Sequence, residues 1–242
     1  MQQPNGRASR RLIGSALAAA LAVTMVAATG LAATSVKPYV EPVGDRYQVR
    51  SLFSVDDRVP LLGGAQGQQY RMVGIPDGLG GHPNRDGTGT LFMNHELGFT
   101  ALSEPVVGGA KNRGAIVSQW ILDADGDPVA GRRAYDRVYG ENTFLGPAPE
   151  VGNEAQMPRQ LARFCSGFLA GPTNGFDRWI YLTNEESTSP ETFDGKGGLS
   201  VAIFDGEIHT LPKLGRYSKE NTVSVLRGPA GMLGQAGAGN DG

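Results

Sequence analysis

The stretch Trp179-Ile180-Tyr181-Leu182-Thr183-Asn184-Glu185-Glu186-Ser187 shows the pattern on which this chain is built: an apolar strand that stops at an asparagine followed by acids. An earlier stretch, Thr90-Leu91-Phe92-Met93-Asn94-His95-Glu96-Leu97-Gly98, repeats the pattern with His95 in the place of Glu185. Two strands with the same polar ending predict a repeated architecture whose strand ends converge on one site. Loops that a rigid scaffold positions are where binding and catalytic residues concentrate.

The composition and the spacing of apolar runs predict an all-β protein. The 36 glycines among 242 residues are about twice the average usage of roughly 7%. No long segment beyond the N-terminus repeats apolar residues at the helical period, whereas short apolar or alternating runs recur between turn-rich segments. These runs predict strands at residues 47–53, 69–75, 91–94, 114–122, 179–183, 198–204, 207–211 and 222–226, and the segment 161–169 carries the cysteine.

Turn residues divide these predicted strands. Asp125-Gly126 and Asp205-Gly206 predict tight hairpin turns. The aspartates at 123, 125 and 127 are also typical of a calcium loop, but Pro128 and Ala134 stand where the EF-hand pattern has Gly and Glu, which favours the hairpin. Glycine and proline predict a turn at residues 76–81 and a loop at residues 82–89, and residues 140–159 predict an irregular loop.

Radially repeated hairpins explain the recurring polar strand ends better than a sandwich does, so we expect a β-propeller. Residues 47–226 would form this domain. At some 40 to 50 residues a blade they supply about three or four blades, a partial ring. Residues 33–46 predict a linker, and the Gly-rich residues 227–242 predict a disordered tail.

The N-terminus predicts an export signal in residues 1–32. Arg7, Arg10 and Arg11 precede an apolar, alanine-rich run, and small residues allow cleavage after Ala32. Ser9-Arg10-Arg11 is similar to a twin-arginine signal, and a retained membrane anchor is the alternative. We expect a secreted or periplasmic protein that meets the membrane only through this signal.

Charge argues against a nucleic-acid partner. The formal net charge is −2, and it becomes −5 after cleavage because three arginines and no acids are lost. A mildly acidic protein lacks the basic patch that binds the phosphate backbone.

Cys165 and three glutamates are the candidate site residues. Cys165 is the only cysteine, which excludes a disulfide within the chain and leaves a small buried side chain, a metal ligand or a reactive thiol. Glu96, Glu185 and Glu186 are suited to bind calcium or iron through oxygen, and a Cys165 thiolate would favour a transition metal. In the alternative, one of the adjacent Glu185 and Glu186 is solvated and the other pairs with an arginine. Neighbours on a strand point to opposite faces, so both reach one site only if the backbone has turned.

Four motifs in order resemble the PhoX-type secreted alkaline phosphatases and their relatives: Asn94-His95-Glu96, Gly114-Ala115-Ile116-Val117-Ser118-Gln119-Trp120, Cys165-Ser166-Gly167 and Thr183-Asn184-Glu185-Glu186. The resemblance implies a β-propeller, twin-arginine export and an active site of iron and calcium ions that hydrolyses phosphate monoesters. It also implies that Cys165 binds iron, and that Glu96 and one or both of Glu185 and Glu186 bind metal.

We therefore expect an exported, monomeric, metal-dependent phosphatase that acts on a small phosphorylated substrate by metal-assisted hydrolysis. One alternative is a non-catalytic secreted propeller that binds calcium or a partner. A second is a propeller hydrolase of another class, such as a lactonase, which would need carboxylate ligands but no cysteine.

Overall fold

A computed structural model describes residues 34, 36–153, 155, 159–188 and 190–225. Within these residues the chain is all-β, as the sequence predicts, and its only helical elements are two short 3-10 turns, Pro172–Asn174 and Pro212–Leu214. No helix in the described ranges is long and apolar enough to cross a membrane. The predicted export signal and the predicted tail at 227–242 lie outside the described residues.

Fourteen strands are present in the described ranges. They are β1 (Arg58–Pro60), β2 (Gln69–Arg71), β3 (Pro76–Pro83), β4 (Gly89–His95), β5 (Leu102–Ser103), β6 (Asn112–Arg113), β7 (Ile116–Leu122), β8 (Pro128–Arg133), β9 (Tyr135–Gly140), β10 (Thr143–Pro147), β11 (Phe164–Ala170), β12 (Ile180–Glu185), β13 (Ser200–Phe204) and β14 (Gly206–Thr210).

Two antiparallel four-stranded meanders form the body of the fold. The first is the sheet β3-β4-β7-β8, and the second, β11-β12-β13-β14, is part of a six-stranded sheet. Strand β9 adds to β14 in parallel, and β10 forms the edge beyond it. The pairs β1–β2 and β5–β6 are separate two-stranded sheets. None of the sheets in the described ranges closes on itself.

The main core lies between the two meanders. Its apolar side chains come from both sheets, and several are fully buried: Val117, Val138, Phe164, Tyr181, Val201 and Ile208. Phe92 of β4 stacks on Tyr181 of β12 with ring centroids 5.2 Å apart. Burying each large apolar side chain contributes about 1.5 to 3 kcal/mol, so this cluster holds the meanders together.

Strand β3 packs against β11 at unusually short range, and glycine makes this possible. A Cβ placed on Gly78 would lie 2.3 Å from the backbone nitrogen of Gly167 and 2.6 Å from the carbonyl oxygen of Cys165. The prediction of a turn at 76–81 is therefore wrong, because the glycines serve close backbone approach within a strand. The predicted loop at 82–89 is confirmed for residues 84–88, between β3 and β4.

Three further predictions about strands are wrong. Residues 47–53 form no strand: Arg50 is held by Asp127 and by the Asp125 carbonyl, and Tyr47 is largely exposed. Part of the irregular loop predicted at 140–159 is strand β10, which pairs with β9. Residues 222–225 form no strand, and Thr222 instead bonds through its side chain to Ser200 of β13 and Asn184 of β12. Leu226 lies outside the described residues.

The remaining strand and turn predictions are confirmed to within a few residues. Val201 pairs with Thr210 and Phe204 with Glu207 across the Asp205-Gly206 turn. Both turn residues have positive φ, 51° and 76°, as a two-residue hairpin of this kind requires. The predicted hairpin turn at Asp125-Gly126 connects β7 and β8, and there Gly126 alone of the pair has positive φ, 84°.

Candidate metal centre

The two sequence repeats, Asn94-His95-Glu96 and Asn184-Glu185-Glu186, form equivalent strand ends. We call them the Asn-x-Glu motifs. In both, the asparagine and the middle residue are buried and the final glutamate is partly exposed. Alternation along a strand turns the middle side chain away from the other two. The prediction that these strand ends converge is confirmed, because Glu96 and Glu186 lie close enough for their charges to interact.

Each motif faces a β-bulge on the neighbouring strand. Pro76 pairs with His95 and Leu79 with Met93, so Asp77 and Gly78 together oppose Asn94. Phe164 pairs with Glu185 and Gly167 with Thr183, so Cys165 and Ser166 together oppose Asn184. A bulge re-aims the extra side chain, and here it turns Asp77 and Cys165 toward the glutamates of the motifs.

The convergent donors form a compact group. The Cys165 sulfur and one carboxylate oxygen each of Glu186 and Glu220 all lie within 4.8 Å of one another. The Cys165 thiol also donates to Asp77 Oδ2 over 3.4 Å. The carboxyl of Glu96 adjoins Asp77 and pairs with Arg163 at 3.7 Å. We call Asp77, Glu96, Cys165, Glu186 and Glu220 the acidic cluster.

The electrostatics of the acidic cluster disfavour further negative charge. Burial raises the pKa of the Cys165 thiol, and its hydrogen bonds to Glu186 and Asp77 and the negative charges of these acids raise it further. Burial also raises the pKa of Glu96, followed by the charge of Asp77, whereas the Arg163 guanidinium lowers it. A bound cation would reverse these effects, since it favours the ionised form of every donor around it.

Glu220 reaches the cluster on the segment 215–222, which crosses the end of β12. Asn184 Nδ2 donates to the Glu220 carbonyl, and Thr222 Oγ1 donates to Asn184 Oδ1 over 2.7 Å. The buried Lys219 donates to the carbonyls of Gly198 and Gly215 at 3.1 and 2.8 Å. These bonds fix the backbone on both sides of the Glu220 side chain.

Glu185 is placed apart from the cluster. Its side chain is fully buried, with Oε1 accepting the N–H groups of Ala162 and Phe193 at 2.9 and 3.0 Å and Oε2 accepting that of Leu199 at 3.1 Å. Burial raises the pKa of Glu185 to about 7, although the three N–H donors oppose the shift. Both oxygens therefore bind backbone. The structure brings Glu96, Cys165 and Glu186 together and leaves Glu185 in the core.

His95, the matching middle residue, is also structural. Its Nδ1 lies 2.9 Å from the Val73 carbonyl and its Nε2 lies 2.7 Å from Ser118 Oγ, which in turn lies 2.7 Å from the Tyr70 hydroxyl. Burial lowers the pKa of His95 to about 4, so the ring is neutral at pH 7. In that state Nδ1–H donates to the carbonyl, Ser118 donates to Nε2 and Tyr70 donates to Ser118, which satisfies every group.

The donor set fits both metals that the resemblance implies. Calcium binds carboxylate oxygens, which four residues of the cluster offer, and a thiolate selects a transition metal such as iron. Cys165 adjoins Asp77 on one side and Glu186 and Glu220 on the other, so soft and hard ligands are available in one place.

Sequence reasoning missed Asp77 and Glu220. Asp77 lies between Pro76 and Gly78, a pattern typical of a turn, and only strand pairing shows that it forms a bulge opposite Asn94. Glu220 lies in a short polar run without strand character.

Comparisons with known protein families, with curated proteins and with solved structures find no match.

Proposed function

We propose that this chain is an exported, metal-dependent, phosphatase-like protein that hydrolyses phosphate monoesters at a clustered iron and calcium site. The observation that carries the proposal is the convergence of one thiol and two carboxylates within 4.8 Å, with Asp77 and Glu96 beside them. The four sequence motifs that resemble PhoX-type phosphatases supply the reaction class. We further propose a monomer in the periplasm or outside the cell, with a small phosphorylated substrate.

A β-propeller is the fold that we propose for this function. Its support is the presence of two four-stranded antiparallel meanders whose first strands, β3 and β11, pack against each other. The second strands, β4 and β12, end side by side at the acidic cluster. Neighbouring blades of a propeller have this relation, with repeated strand ends around one axis.

The charges of the site suggest separate roles for the acidic cluster and for Arg163. When bound, iron and calcium ions would stabilise the charge of the transferring phosphoryl group and supply an oxygen nucleophile at neutral pH. The acidic cluster would hold these ions. The half-exposed Arg163 guanidinium, 3.7 Å from Glu96, is suited to bind phosphate oxygens and orient the substrate above the cluster.

Hydrolysis of an aryl phosphate by the full chain, purified from the periplasm of an expression host, tests the proposal. Cys165→Ala and Glu186→Gln should each lower kcat/KM by about 100-fold or more, since each removes a metal ligand. Glu141→Gln is the matched control, because Glu141 is an exposed acid that pairs with Lys213 away from the cluster. Protein that carries no iron or calcium, or full activity in Cys165→Ala, would refute the proposal.

The second candidate is a non-catalytic secreted propeller that binds calcium for stability. One observation favours it: Glu186 and Glu220 belong to segments far apart in sequence, so a cation between them would tie segment 215–222 to β12. Calcium should then raise the unfolding temperature of the wild type without any turnover of phosphate esters. Rapid release of phosphate would reject this candidate.

A further inference from the structure

The asparagines of the two Asn-x-Glu motifs make bonds that neither motif predicts by itself. Asn94 is fully buried, and its Nδ2 donates to the carbonyls of Cys165 and Ser166 at 3.0 and 2.9 Å and to Thr183 Oγ1 at 2.9 Å. Only the NH₂ end of an amide can face two carbonyl oxygens, so these partners determine its orientation. Asn94 therefore binds the backbone of the bulge that carries Cys165.

Asn184 does the same for Glu220, the last donor along the chain. It is 1% exposed, and its Nδ2 donates to the Glu220 carbonyl and, over 3.1 Å, to Ser166 Oγ. Its Oδ1 accepts from Thr222 Oγ1. Each motif thus supplies its own glutamate to the cluster and, through its asparagine, holds the backbone of a donor on the following segment.

Tyr181 joins this network to the first bulge. Its hydroxyl lies 2.8 Å from the Gly78 carbonyl and 2.9 Å from Asn94 Oδ1, both of which accept its hydrogen. Hydrogen bonds consequently run without interruption from the Asp77-Gly78 bulge, through Tyr181, Asn94, Ser166 and Asn184, to Glu220. This buried network connects the backbones of three segments that carry cluster donors.

We infer that Asn94 and Asn184 are positioning residues of the cation site. The inference rests on the proposed cation-dependent function. The carboxylates of the cluster have like charge, and their repulsion opposes the arrangement that brings the Cys165 and Glu220 backbones to Glu96 and Glu186. The asparagines hold these backbones in place before a cation arrives, so less ordering has to accompany binding.

Titration of the metal-stripped full chain with cobalt(II) tests the inference. The readouts are the dissociation constant and the thiolate-to-cobalt absorbance band, which requires Cys165 as a ligand. Asn94→Ala and Asn184→Ala should each weaken cobalt binding by about tenfold or more, the effect typical of residues that orient metal ligands. Thermal unfolding of each metal-free variant separates this effect from lost stability.

Asn112→Ala is the matched control. Asn112 is 2% exposed and accepts from Arg133 on the far side of β7, so its loss should lower the unfolding temperature but leave the cobalt affinity unchanged. Tyr181→Phe is the milder variant if Asn94→Ala does not fold, because it removes one hydroxyl and keeps the ring. It should weaken cobalt binding severalfold.

Two results would overturn the inference, and they differ. If the wild type binds cobalt with the thiolate band and the folded asparagine and Tyr181→Phe variants bind it equally well, the positioning role is wrong and the cation site stands. If the folded wild type binds no cobalt, the proposed function fails and the positioning role fails with it.

Discussion

Replacing Gly78 with alanine should destabilise the protein at the contact that forms the candidate site. The new Cβ would lie 2.3 Å from Gly167 N, 2.5 Å from Ser166 C and 2.6 Å from Cys165 O, all of them backbone atoms. Relief to an ordinary contact near 3.5 Å requires β3 and β11 to separate by about 1.2 Å. Backbone cannot rotate away as a flexible side chain can, so we expect a cost at the upper end of the usual range for overpacking, about 3 kcal/mol.

Gly89→Ala is the control for this prediction. Gly89 also lies in the first four-stranded sheet, but its Cβ would be 3.8 Å from its nearest neighbours, the His82 carbonyl and Leu122 Cβ. Urea unfolding should therefore show a change of less than about 1 kcal/mol for Gly89→Ala, in line with substitutions that create no clash. Equal unfolding midpoints for the two variants would refute the claim that β3 and β11 meet at this distance.

Three further predictions concern Glu185, His95 and Arg163. Glu185→Gln should lower the free energy of unfolding by about 1 to 3 kcal/mol, because the amide nitrogen must face a backbone N–H whose hydrogen bond Glu185 accepts. Urea unfolding beside the control Glu141→Gln measures this loss, and equal midpoints for the two variants would contradict it. The unfolding free energy should fall by up to about 3 kcal/mol between pH 6.5 and 4 through His95, since the unfolded chain takes up a proton there and the folded chain, with a His95 pKa of about 4, does not. His95→Gln should flatten this slope, and a slope unchanged in that variant would exclude His95 as its source. Arg163→Ala should raise KM for an aryl phosphate more than it lowers kcat, since Arg163 is proposed to bind the phosphate; an unchanged KM would remove it from the site.

The repeat was the feature that sequence predicted best. In both Asn94-His95-Glu96 and Asn184-Glu185-Glu186, the asparagine and the final glutamate behave alike although the surrounding residues differ. An asparagine at a strand end needs buried hydrogen-bond partners, and the glutamate beyond it is free to leave the core. The sequence also predicts the two hairpin turns, since positive φ at Asp205, Gly206 and Gly126 restricts which residues can stand there.

The sequence does not predict the role of the middle residue of each motif. His95 and Glu185 are as polar as the true cluster members, and only the surrounding backbone decides that they bind carbonyls and N–H groups in the core. The sequence does not predict strand β3 for a related reason. Taken alone, glycine at residues 78, 80 and 81 indicates a turn, whereas in the structure these glycines allow β11 to approach closely. Because β3 is not predicted, the bulge that places Asp77 at the cluster is not predicted either.

Glu220 depended on tertiary contacts alone. Segment 215–222 has no apolar period, and what places it is a set of side-chain bonds from Asn184, Ser200 and Lys219. Such bonds join residues many positions apart, so no local sequence pattern predicts them.

A crystal structure of the full chain, with anomalous data collected at the iron absorption edge, tests the central claim most directly. We predict an anomalous peak within bonding distance of Cys165 Sγ and of carboxylate oxygens from Glu186 and Glu220. An occupied iron site elsewhere, or a Cys165 thiol that contacts only protein in crystals of protein purified with its metal, would contradict the account.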